Sequence, residues 1–79
     1  MDNYTLNQVM MIIAEHLDAD PFSITRNTTF DELNADKLDV IELAMAVEEE
    51  FGEEIPVIEE GDEFKTIGEF LDAIEEYIE

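Results

Sequence analysis

Lys37 stands in Asp36-Lys37-Leu38-Asp39, at the head of a long apolar-periodic segment, and is one of only three basic residues in a 79-residue chain. Its amine could be acylated, or could pair with Asp36, Asp39 or Glu42. An ammonium is a poor nucleophile at neutral pH. An exposed ion pair is worth only about 0–1 kcal/mol, and a cation at a helix N-terminus is disfavoured by about 0.3–1 kcal/mol. Stability gives no strong reason for lysine here. His16 is the lone histidine; without evident partners it reads as a residue closing a helix, where its charged form suits the dipole. The carboxylate clusters Glu48-Glu49-Glu50, Glu53-Glu54 and Glu59-Glu60-Asp62-Glu63 lack the spacing of an EF-hand loop and should attract cations only loosely. Ser23 is the only serine and there is no cysteine. That excludes disulfides, thiolate metal sites and a thiol nucleophile. With no nucleophile–base pair, phosphate-binding glycine loop or metal-ligand spacing, neither an enzyme nor a metal site is expected.

The charge narrows the partners. There are 23 acidic and 3 basic residues, a net charge of −20. Phosphate neutralisation needs the opposite sign, so nucleic-acid binding is excluded. Partners should be basic, with fast, salt-sensitive association. Such a charge on so small a chain favours a monomer. No apolar run reaches the ~18 residues of a membrane span. The first twenty residues carry Asp2, Glu15, His16, Asp18 and Asp20 without a basic leader, so a signal peptide is not expected and a cytoplasmic location is.

The elements that must position Lys37 are helical. Leu6, Val9, Met10, Ile13 and Leu17 recur at helical spacing and predict a first helix over 4–17, with Thr5 as N-cap and a stop at Asp18 to Pro21. Residues 18–36 form a connection too long to be structureless in a compact domain. Phe22, Ile24, Phe30 and Leu33 are the expected pins, with one helical turn at Asp31-Glu32-Leu33. A second helix is predicted over 37–51, with Asp36 as N-cap, Asp39 favouring the dipole, and Phe51-Gly52 as the stop. A short helix is expected within 57–63. Thr66 caps a last helix over 67–78, which buries Ile67, Phe70, Leu71, Ile74 and Ile78; Thr66-Ile67-Gly68-Glu69 approximates a capping box. No alternating run is long enough for a strand. The expectation is one domain over 1–79: an all-α, small four-helix bundle of three long helices and one short, with a long first loop.

The second helix carries two apolar faces. Val40, Leu43, Ala44, Val47 and Phe51 form the core stripe. Leu38, Ile41 and Met45 form a separate ridge, with Glu42 and Glu49 on one side and Glu48 on the other. Apolar anchors rimmed by carboxylates describe a docking surface, and methionine suits one that adapts to several partners. Burial of the ridge beneath the long loop explains the periodicity equally well.

The stretch Phe30-Asp31-Glu32-Leu33-Asn34-Ala35-Asp36-Lys37-Leu38-Asp39-Val40-Ile41-Glu42-Leu43-Ala44-Met45-Ala46-Val47-Glu48-Glu49-Glu50-Phe51-Gly52-Glu53-Glu54-Ile55-Pro56 resembles the acyl carrier protein family in register, and Lys65-Thr66-Ile67 resembles its entry into the last helix. The resemblance runs across essentially the whole chain. It implies a bundle whose interior can shelter an acyl chain, with Phe30, Leu43, Val47, Phe51, Ile55, Ile67 and Leu71 in the core or pocket. It also implies that basic surfaces of acyl-metabolism enzymes dock on the second helix, through Asp36, Leu38, Asp39, Ile41, Glu42, Met45, Glu48 and Glu49. There are two departures. Asn34 stands where the family usually has glycine; asparagine tolerates left-handed backbone better than most residues. Lys37 stands where the family reads Asp-Ser-Leu and its serine hydroxyl carries phosphopantetheine through a phosphodiester.

A lysine has no hydroxyl. Amine attack on the β-phosphate of coenzyme A would give a hydrolytically weaker phosphoramidate. Thr28 and Thr29 lie several residues upstream of the helix. No phosphopantetheine is therefore expected, and the chain reads as an acyl-carrier-like docking protein of fatty acid or acyl metabolism without the arm. Other readings stay open. The lysine could have been introduced to block modification. It could itself be acylated, as in lipoyl and biotin carriers, although those present their lysine on a β-hairpin. The chain could also be an acidic regulatory module with this fold and an unrelated basic partner.

Overall fold

A computed structural model describes residues 2–52 and 64–77. Three helices follow in order: α1 (Asn3–Leu17), α2 (Lys37–Phe51) and α3 (Ile67–Glu75). No strand forms among the described residues; one isolated antiparallel bridge joins Thr29 and Thr66. The short helix expected within 57–63 lies outside the described residues, as do Ile55 and Ile78.

α1 begins one residue earlier than its periodicity suggests, and Thr5 is not its cap. Asp2 is, because its carboxylate accepts the Thr5 N–H at 2.8 Å. Aspartate is a better N-cap than threonine, and its charge also favours the helix dipole. Asp18 ends the helix in left-handed backbone (φ 54°), its N–H donating to the Ala14 carbonyl. Val9, Ile13 and Ala14 are buried, while Leu6, Met10 and Leu17 pack partly buried against the same core.

Between α1 and α2 the chain runs through successive turns, and Ile24 and Phe30 pin it to the core, with Leu33 partly buried beside them. Phe22, expected as a third pin, is 96% exposed. The turn that closes on Asp20 explains this. The Ser23 N–H donates to the Asp20 carbonyl and the Phe22 N–H to the Asp20 carboxylate, which leaves Phe22 at the apex. The expected helical turn at 31–33 appears as two consecutive three-residue closures, Leu33 N–H to Phe30 O and Asn34 N–H to Asp31 O. Asn34 then takes left-handed backbone, φ 58°.

The loop fastens to the start of α3. Phe30 N–H donates to Lys65 O, Ile67 N–H to Thr28 O, and Gly68 N–H to Arg26 O. Arg26 also pairs with Asp72 of α3. A Cβ built at Gly68 would stand 3.0 Å from the Arg26 carbonyl oxygen, so only glycine lets the two backbones meet without displacement. α3 ends at Glu75 rather than 78. Thr66 caps it by accepting the Glu69 N–H, but the Glu69 carboxylate reaches the Lys65 N–H, one residue beyond the reciprocal partner of a capping box. Ile67, Phe70, Leu71 and Ile74 are buried, and Phe70 meets Phe30 and Phe64 edge to face at 6.0 and 5.8 Å.

Candidate functional site

The head of α2 is built by its own sequence. Asp36 accepts the Asp39 N–H and donates its own N–H to the Asp39 carboxylate, both at 3.0 Å, closing a reciprocal capping box. Two acceptors thereby satisfy two otherwise orphaned donors. Lys37 is the first helical residue and is exposed. Among the described residues it makes no ion pair. The pairing open to it with Asp36 or Asp39 is not formed, because those carboxylates are turned to the backbone.

No hydroxyl stands in the first turn of α2. Those of the upstream loop are engaged elsewhere. Ser23 Oγ donates to the Asp20 carbonyl, Thr28 Oγ1 accepts the Thr25 N–H, and Thr29 Oγ1 accepts the Glu32 N–H. A phosphodiester forms on an alcohol, and the residues at the head of α2 offer none.

Further along α2 the two faces separate. Val40, Leu43, Ala44 and Val47 are buried. On the second ridge Leu38 is 65% and Met45 57% exposed, so the loop does not cover them. Ile41 between them is half-buried and packs on the core. Asp36, Glu42 and Glu49 are exposed; Asp39 and Glu48 are half-buried. The structure thus brings the expected docking residues onto one helix. The expected pocket residues go to the core: Phe30, Leu43, Val47, Ile67 and Leu71 are buried in a single cluster, with Phe51 half-buried against it. Gly52 ends α2 in left-handed backbone (φ 69°), its N–H donating to Glu48 O.

Sequence reasoning missed three features. Phe64 joins the aromatic cluster, although nothing in the periodicity around it marks it as core. The Arg26–Asp72 pair spans 46 positions and leaves no local signal. The third is a cleft of about 310 Å³ along α1, lined by Tyr4, Gln8, Met11, Ile12, Glu15 and Glu50. Tyr4 and Met11, seven residues apart, were legible as a second apolar pair on that helix.

Residues 7–74 match the family described as phosphopantetheine attachment site. The acyl carrier proteins of Zymomonas mobilis and Thermosynechococcus vestitus are 45% and 47% identical, over 89% and 87% of this chain and 86% and 85% of theirs. That of Phenylobacterium zucineum is 46% identical over 90% of both chains. The chain belongs to the acyl carrier protein family, whose members are carriers rather than enzymes, work with the enzymes of acyl metabolism, and have phosphopantetheine as their prosthetic group. None of the described helices is long and apolar enough to cross a membrane.

Proposed function

We propose that this chain is an acyl-carrier-fold protein that docks basic acyl-metabolism enzymes through α2 and carries no phosphopantetheine of its own. On this reading Lys37 occupies the position of the family's attachment serine, and the domain is the family's four-helix bundle with a long first loop. The observation that carries the docking face is the exposure of Leu38 and Met45 on a helix whose other apolar side is buried, with Asp36, Asp39, Glu42, Glu48 and Glu49 around them. The apolar anchors would supply contact area, and the carboxylates would steer cationic surfaces in and set register. The protein acts as a cytoplasmic monomer, serving as a regulator, decoy or structural subunit of carrier-dependent enzymes.

Two experiments test this. The intact mass of the protein from its native cytoplasm should equal the unmodified chain, and Lys37→Ser should gain one phosphopantetheine when incubated with coenzyme A and a phosphopantetheinyl transferase. An added group on the native protein would overturn the reading. Pull-down at low salt with a carrier-dependent synthase and with the transferase should succeed and fail for Glu42→Lys and Met45→Ala. Binding retained by both variants would remove α2 as the docking face.

A further inference from the structure

α1 has a second apolar feature that faces away from the core. At 100° per residue, Val9, Ile13, Leu6, Met10 and Leu17 share the inward side, while Tyr4, Met11 and Glu15 lie on the opposite one. Tyr4 is 71% and Met11 48% exposed. The Gln8 amide donates to the Tyr4 hydroxyl at 3.1 Å and fastens the tyrosine along its own helix. These residues, with Asn7, line a shallow, open depression of about 310 Å³, with Ile12 on its wall and the exposed carboxylates of Glu15 and Glu50 beside them. Tyr4 and Met11 are thus two large exposed apolar side chains, two helical turns apart on one open face, alongside the polar side chains of Asn7 and Gln8.

Charge selects the occupant. At −20, a second copy of this chain, an anionic lipid surface and a nucleic acid are all repelled. A groove with paired apolar contacts along a helix and carboxylates on its rim matches a cationic amphipathic helix, whose apolar side chains would enter between Tyr4 and Met11 while its lysines or arginines meet Glu15 and Glu50. We propose that the α1 cleft is a second docking surface, for a cationic amphipathic helix of a partner protein, independent of Leu38 and Met45 on α2. A chain with two such faces can hold two basic partners at once. This inference does not depend on the absence of the phosphopantetheine arm.

The test is an amide-shift titration of the isotope-labelled full chain. The probe is a synthetic Leu/Lys peptide with one apolar helical face, and the control is a peptide of the same composition with that face scrambled. The amphipathic peptide should shift residues 4–15 and Glu50, and the control should not. Met11→Lys and Tyr4→Ser, both at exposed positions, should weaken the α1 response about tenfold, the usual effect of losing one interface anchor. Leu38→Lys should leave it unchanged while clearing any shifts on α2. Shifts confined to α2, equal shifts with both peptides, or an α1 response indifferent to Met11→Lys and Tyr4→Ser would each overturn the proposal.

Discussion

At the residue scale, the Asp36–Asp39 box matters more to stability than the lysine inside it. Each carboxylate bonds the other's backbone N–H, and Lys37 makes no ion pair among the described residues. Asp36→Ala should therefore destabilise the fold by about 1 kcal/mol, the usual loss at an N-cap. Lys37→Ala should change it by less than about 0.5 kcal/mol, as at an ordinary surface position. Denaturant unfolding of both variants checks this. Asp2 caps α1 and responds to pH. Bonds from the Thr5 backbone N–H, then from its side chain, hold its carboxyl below the ordinary 3.8. The unfolded chain therefore takes up the proton first. The stabilisation is fully present above the ordinary value and is lost as pH falls through the lower folded one. Thermal unfolding of the wild type against Asp2→Asn should show a gap that is constant near neutrality and closes only in acid below that value.

At the element scale, the first loop and α3 form one unit. Their backbones bond at three places between residues 26–30 and 65–68, and Gly68 allows that approach. Gly68→Ala should push the Arg26 carbonyl away and cost about 1–3 kcal/mol, as overpacking does, although alanine is the better helix former. Phe22→Ser in the same loop should cost less than about 0.5 kcal/mol, because Phe22 sits at a turn apex with 96% of its surface already in water. Urea unfolding of the two variants separates a loop held by backbone contact from one held by its phenylalanines. A smaller loss for Gly68→Ala than for Phe22→Ser would reverse that order.

At the scale of the molecule, charge is kept out of the fully buried core of the described residues. Among the described residues no polar or charged side chain is buried. The described carboxylates therefore act on one another mainly through solvent, where salt screens them over roughly 8–10 Å. Added sodium chloride should raise the melting temperature by relieving self-repulsion. The same salt should slow association with a basic partner enzyme, with a smaller effect on dissociation. Calorimetry and stopped-flow binding over one salt series check both signs. A melting temperature indifferent to salt would mean that the surface charges are already offset locally.

The sequence alone determined the three described helices to within a few residues, the span of α2, its caps and the family frame, because apolar periodicity, an Asp-x-x-Asp start and a Gly stop act between near neighbours along the chain. That Lys37 brings no hydroxyl to the head of α2 is likewise a matter of residue type, open to reading from the chain alone. Only the tertiary structure decided which apolar residues stay in water. Phe22 and Phe30 are the same residue type in one loop, yet one crowns a turn and the other is core. Leu38 and Met45 could have lain under that loop, and their exposure depends on where the loop fastens to α3. The Arg26–Asp72 pair, the close contact at Gly68 and the α1 cleft depend likewise on contacts between distant segments, which short-range patterns do not encode.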